Sequence, residues 1–302
     1  MATQIAQSPD GRINNLVNLR NWVTIHHDTY PAIDPLKADL NGKSVVITGA
    51  SKGVGYATAL SFARAGCSKI AISARSPLDR LASEIRDAAL TAGRAEPTVL
   101  NMAVDVTSET DVRNFATQVA AEFTAVDILI NNAGYLEEWT PFAETKPDEW
   151  WKTWEVNIRG LYLCSRYFLP LVLKSPTRTI INVSSNGAHV TSRGASAYQA
   201  SKFAVCRLAE FMTNDHWDDG LVAIAVHPGS VMTELAKGMP AHMHAVLVDK
   251  VQLPADAMVW LGKERREWLR GRYVMTNWDV GELGAKREEI VKGDLLKFRL
   301  AV

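Results

Sequence analysis

The sequence predicts an α/β fold, a doubly wound parallel sheet with helices on both faces, built as a single domain plus an N-terminal extension. Three observations predict it. Short apolar, β-branched runs alternate with helical segments from residue 41 onward, the pattern of parallel strands joined by right-handed crossovers. The first of these runs passes through a glycine-rich turn directly into a helix. The 302 residues, 47% of them hydrophobic, are enough to bury one large core.

Residues 1–40 stand outside the alternation. Residues 15–22 read as a short helix, and Tyr30-Pro31-Ala32-Ile33-Asp34-Pro35 as an extended, proline-stiffened segment. Trp22, Tyr30 and Ile33 mark this extension as a strap packed on the domain of residues 41–302. The first strand is Ser44-Val45-Val46-Ile47. The turn Thr48-Gly49-Ala50-Ser51-Lys52-Gly53-Val54-Gly55 follows, then a helix that stops at Gly66. Strand, glycine-rich turn and helix together make the unit that cradles a dinucleotide. Its glycines let the backbone approach a pyrophosphate, and its helix N-terminus offers unpaired N–H groups and positive potential.

Further strands are expected at 69–74, 98–104, 126–130, 179–184, 221–226 and 271–276. Helices are expected at 78–92, from the Ser108 cap to Phe123, as one long rod over 147–174, and at 195–217. Asp111 stands where a capping box usually has Glu. Asn157 falls mid-rod, where Asn is a poor helix former, so its side chain either faces solvent or has a specific task.

Ligands of such sheets bind beyond the carboxyl ends of the strands. After the second strand there is no acidic residue to grip a ribose 2′-hydroxyl. Arg75 and Ser76 stand there, with Lys52 in the glycine loop, so two cations and a hydroxyl suit a 2′-phosphate. This predicts NADP(H) over NAD(H). After the third strand, the Asp105 carboxylate beside Val106 either accepts from an adenine amino group or serves a local turn. After the fourth strand, Asn131-Asn132-Ala133-Gly134 lets backbone pass close to a cofactor, with Asn side chains bracing neighbouring strands. Tyr198 and Lys202, four apart on one helical face, pair a phenol with an ammonium expected to lower its pKa toward neutrality.

Basic and acidic residues balance at 33 each, with no surplus for nucleic acid or a membrane surface. The longest apolar run, 161–173, is too short to span a bilayer and carries Arg166. Cys67, Cys164 and Cys206 match no metal spacing, and His242 with His244 lacks further ligands, so no metal is expected. Sparse, odd cysteines and no signal-like leader predict a cytoplasmic protein.

Together these segments resemble the short-chain dehydrogenase/reductase family, in its compact single-domain branch with a Rossmann-type fold, over residues 41–280. The carrying motifs are Thr48 to Gly55, Asn131 to Gly134, Tyr198-Gln199-Ala200-Ser201-Lys202, Ser185 thirteen residues before Tyr198, Asn157, and Pro228-Gly229-Ser230-Val231-Met232-Thr233. The resemblance implies an NADPH-dependent carbonyl reductase. Tyr198 exchanges the proton, Lys202 lowers its pKa and holds the nicotinamide ribose, and Ser185 holds the substrate oxygen, with Ser184 as competitor. Asn157 holds a relay water, and Val231 and Thr233 hold the carboxamide. Oxidation of an alcohol, or a non-catalytic NADPH-binding scaffold, are the alternatives. A homodimer or homotetramer paired through the two long helices is implied as well. The tail around Trp278 resembles fungal members of secondary metabolism. A lid over 231–251, rich in Met232, Met239, Met243 and Val246, predicts a fairly large apolar substrate.

Overall fold

The computed structural model describes residues 22–300. The short helix expected over 15–22 lies outside them, save for Trp22. Seven strands form one sheet: β1 (Ser44–Thr48), β2 (Lys69–Ala74), β3 (Thr98–Ala103), β4 (Ile128–Asn131), β5 (Thr179–Val183), β6 (Val222–His227) and β7 (Tyr273–Met275). Their order is β3-β2-β1-β4-β5-β6-β7, and each neighbouring pair is parallel. The strand order reverses direction between β1 and β4, which opens a crevice beyond their carboxyl ends.

The central strands are apolar on both faces because both are covered. β1 and β4 are buried along their whole length. Helix α1 (Gly53–Arg64) packs against α2 (Asp79–Thr91) and α7 (Gln252–Gly262), which is buried from Leu253 onward. Helix α3 (Glu109–Glu122) packs against α5 (Leu161–Leu173), and α4 (Pro147–Trp154) against α6 (Ser196–Asp215). Small residues carry the closest approaches: a Cβ on Gly262 would lie 2.8 Å from Ile128 Cδ1. Gly66 ends the α1 unit as expected, at φ +79°, with its N–H donated to Ala63 O.

The expected single rod over 147–174 is interrupted. Between α4 and α5 the chain makes a π-helical turn, Glu155–Gly160, with Asn157 buried inside it. A wider turn of this kind re-aims one side chain without breaking the rod. Gly160 within it lies against Val106, where a Cβ would come within 2.7 Å of Val106 Cγ2.

From Trp22 onward the leader is packed. Ile25 bridges Trp278, His26 N donates to Asn277 O, and the Trp22 and Trp278 rings meet edge to face at 5.4 Å. Short helices α8 (Val280–Ala285) and α9 (Arg287–Lys292) follow β7, and the tail returns so that Tyr273 N donates to Leu296 O. Strap and tail thus cover the edge strand. Among the described residues no helix is long and apolar enough to cross a membrane.

Candidate active site

The glycine turn leaves β1 and is fastened to the exit of β4. Thr48 Oγ1 accepts from the Asn132 and Ala133 N–H groups at 3.0 and 3.1 Å. Asn132 Nδ2 donates to Thr48 O and Gly49 O. Gly49, at φ +66°, lies where a Cβ would sit 2.7 Å from Ala133 Cα, and a Cβ on Gly55 would collide with Asn132 Nδ2 and Gly49 O. These two glycines therefore serve the contact between the turns. Gly53 opens α1 at φ +60° and faces the Thr233 methyl. Lys52 is the N-cap but makes no side-chain cap bond, so the first N–H groups of α1 keep no side-chain partner. Ser51 is half-buried beside it and Val54 is buried. This uncapped terminus behind a close-packed glycine turn fits the pyrophosphate of a dinucleotide.

Lys52, Arg75 and Ser76 are all exposed at this edge, and among the described residues neither cation has an ion-pair partner. Asp105 has one oxygen committed: Oδ1 accepts from Thr107 N and Thr107 Oγ1 at 2.9 and 2.8 Å. The local-turn role is thus occupied by that atom. Asn131 braces the strands as expected, donating to Asn182 Oδ1 and Ser165 Oγ.

Beyond β5 the remaining groups converge. Tyr198 is in the first turn of α6 and Lys202 in the next. Lys202 is buried, its Nζ donates to Val183 O at 2.8 Å, and it lies 5.6 Å from the Tyr198 ring centroid. Gly134 lies beside both: its Cβ would meet Asn157 Oδ1 at 3.5 Å and Lys202 Nζ at 3.7 Å. Ser185 Oγ accepts from Gly187 N, and Gly187 lies between it and the Tyr198 ring. Ser184 is not a competitor, because its hydroxyl is buried, donating to Lys202 O at 2.7 Å beside Cys206 Sγ.

One expectation is corrected here. Lys202 does not bring the Tyr198 pKa down. Burial raises the phenol above its usual value, the Ser185 hydroxyl opposes this, and the Glu137 charge adds to the rise. The same burial pushes Lys202 down to about 8. A desolvated site disfavours both charged forms. Asn157, in turn, has its amide committed to protein. Oδ1 accepts from Tyr135 N, while Nδ2 donates to Tyr135 O and Ser201 Oγ. One amide hydrogen thus clamps the loop after β4 and the other ties the π turn to α6.

The segment beyond β6 is pinned at its base. Pro228 is half-buried, and Gly229, at φ +79°, lies where a Cβ would meet Asp249 Oδ2 at 2.8 Å. Ser230 N donates to that oxygen, Val231 bridges Asp249, and His27 Nδ1 of the strap lies 2.5 Å from Asp249 Oδ1. Thr233 Oγ1 accepts from Ala236 N, and the lid continues as short 3₁₀ turns with Met232 exposed. Among the described residues no cluster of His, Cys, Asp or Glu could hold a metal.

Sequence reasoning missed three buried groups. Glu137 accepts from Tyr198 N, Asp249 anchors the lid base, and His227 Nδ1 accepts from Asn186 N. An acid three residues past Gly134, in a stretch flanked by Leu136 and Trp139, was the available signal for Glu137. Asp249 had none.

The comparisons agree with this geometry. The family model described as short chain dehydrogenase matches residues 43–244. "Short chain dehydrogenase citE" from Monascus ruber is 48% identical over 282 residues, covering 93% of this chain and 97% of the relative. "Short chain dehydrogenase andI" from Emericella variicolor is 40% identical, covering 92% and 95%. Among solved structures, 3-ketoacyl-(acyl-carrier-protein) reductase from Brucella melitensis complexed with NADH is 26% identical at TM-score 0.70, covering 78% of this chain and 97% of that one. A short chain dehydrogenase from Shigella flexneri complexed with NADP is 25% identical at TM-score 0.67, covering 80% and 99%. Uncapped glycine turn, paired Tyr and Lys, and these likenesses lead to one conclusion: the chain belongs to the short-chain dehydrogenase/reductase family of oxidoreductases.

Proposed function

We propose that this protein is an NADPH-dependent reductase of a ketone or aldehyde on a fairly large apolar metabolite. The observation that carries it is the convergence of Tyr198 and buried Lys202 beside Gly134, at the strand ends that also carry the glycine turn. When bound, NADPH supplies the hydride. Tyr198 gives its phenolic proton to the carbonyl oxygen, and Ser185 Oγ hydrogen-bonds that oxygen. Lys202, turned toward Gly134, holds the ribose, and Val231 with Thr233 holds the carboxamide. Pro228 and Gly229 shape the floor below it. The neutral phenol is the form that donates in reduction, and the same group accepts the proton in alcohol oxidation.

Arg75, Ser76 and Lys52 take the 2′-phosphate; their exposure and lack of partners among the described residues support this. The exposed Met232, Val246 and Val248 of the lid support an apolar substrate. The relatives from Monascus and Emericella support a place in fungal secondary metabolism. The free, buried cysteines support a cytoplasmic location.

The test is a fluorescence titration with NADPH and NADH, then NADPH oxidation over a panel of apolar ketones. Wild type is expected to bind NADPH more tightly. Charge-assisted bonds to phosphate contribute about 1.5 kcal/mol each at an exposed site, so an Arg75→Ala, Lys52→Ala double variant loses NADPH affinity by about a hundredfold. Its NADH affinity stays unchanged. Equal binding of the two cofactors by wild type contradicts the assignment.

A further inference from the structure

Glu137 lies in the loop between β4 and α4 and is only 4% exposed. A carboxylate buried to this degree needs partners to offset its lost hydration. It has two. Oε1 accepts from the backbone N–H of Tyr198 at 3.0 Å, and Oε2 accepts from Thr153 Oγ1 of α4 at 3.2 Å.

The first of these partners explains the placement. The N-cap of α6 is Ala195, which has no side chain able to cap the helix. The first-turn N–H groups of any helix need a partner from elsewhere when the cap residue supplies none. Tyr198 is the third residue of α6, and Glu137 satisfies its N–H from another element. A negative group there also faces the positive end of the helix dipole. The loop carrying Glu137 is itself held, because Asn157 bonds both backbone groups of Tyr135, and Tyr135 Oη donates to Glu149 Oε2 at 2.8 Å.

The ionisable groups facing Tyr198 come from three elements. Lys202, on its own helix, has its ammonium turned to Val183 O. Tyr273, from β7, is a buried phenol kept neutral by burial, with His189 stacked edge-on against it. Glu137, from the loop after β4, brings a negative charge, and it acts on the phenol in the same sense as burial.

We propose that Glu137 is a positioning residue for Tyr198: its carboxylate caps the catalytic helix from outside, ties it to the loop after β4, and places a negative charge at the end of the helix that carries Tyr198. The proposal rests on the reading of Tyr198 as proton donor. It gives that donor a fixed place and a standing bias toward its protonated form, as reduction requires.

The test is an alkaline titration of tyrosine absorbance in wild type, Glu137→Gln and Tyr198→Phe. The step missing from Tyr198→Phe belongs to Tyr198. Glu137→Gln keeps an oxygen for the Tyr198 N–H and loses the charge, so the step is expected at lower pH than in wild type. Its thermal midpoint stays near wild type, whereas Glu137→Ala lowers it. The alkaline limb of the kcat/KM profile moves the same way as the spectral step, while KM for NADPH does not move. Glu137→Asp draws the charge back by one methylene and moves the step in the same direction by less, which covers a Gln variant that does not fold. A step at the wild-type pH in the folded variants overturns the proposal. If Tyr198→Phe keeps turnover, the donor reading fails on its own, and the spectral step still decides the part played by Glu137.

Discussion

Tyr198 and Lys202 stand one helical turn apart, yet the phenol is pushed up and the ammonium down to about 8. Burial favours the neutral form of each. The same rule governs two nearby imidazoles. His189 and His227 are both pushed down to about 4 by burial. An unfolded chain takes up these protons near ~6.5. Their contribution to stability is therefore complete above that value and lost as pH falls toward about 4. His189→Phe keeps the ring packing against Tyr273 and Phe298 while removing one titrating group. Its acid-unfolding midpoint is expected at lower pH than that of wild type; an unchanged midpoint contradicts this account. At this scale the sequence was legible where chemistry follows spacing, as with Tyr198, Lys202 and Ser185. It was not legible where burial decides. Neither the rise of Tyr198 nor the hydrogen bonds of Asn157 can be read from neighbours along the chain.

Among the elements, the glycine turn was legible as a turn, but the work of each glycine was not. Gly55 lies against Asn132 and the Gly49 carbonyl, a contact set by β1 meeting β4 across 80 residues of intervening chain. Gly55→Ala is expected to cost about 1–3 kcal/mol or more through overpacking and to abolish cofactor binding. Gly93→Ala is the control. Gly93 also has positive φ, at +69°, but a Cβ there meets nothing within 4 Å. Only the backbone term of about 1–2 kcal/mol applies, and cofactor binding persists. Thermal unfolding with NADPH titration separates the two, and equal losses would refute the packing argument. The π turn between α4 and α5 was invisible in the sequence, because apolar spacing stays helical through it. The out-of-place Asn157 was its only trace.

For the whole molecule, parallel pairing followed from the alternation, since right-handed crossovers join buried strands in that way, whereas the strand order did not, because doubly wound sheets take more than one order. The strap was legible as packed from its aromatic residues, but its seat was not. That seat depends on Trp278, only 1% exposed, and on Glu282, whose carboxylate takes both the N–H and the hydroxyl of Thr24. On the outside, Trp151 and Tyr162 of the interrupted rod and Phe203 and Phe211 of α6 remain exposed. We propose that these side chains belong to a surface that pairs with another copy. Sedimentation equilibrium is expected to give a dimer or tetramer of the 33.2 kDa chain, reduced to monomer in a Trp151→Glu, Phe211→Glu variant. A wild-type monomer at micromolar concentration contradicts this.

The central claim is that one phenol, fixed at the carboxyl edge of this sheet, delivers the proton for hydride reduction. Its most direct test is NADPH-dependent turnover of a ketone by Tyr198→Phe beside wild type, with the cofactor affinity of each measured on the same samples. The account predicts turnover reduced by about 10²–10⁴-fold with NADPH binding intact. Turnover at the wild-type rate in the Phe variant would contradict it.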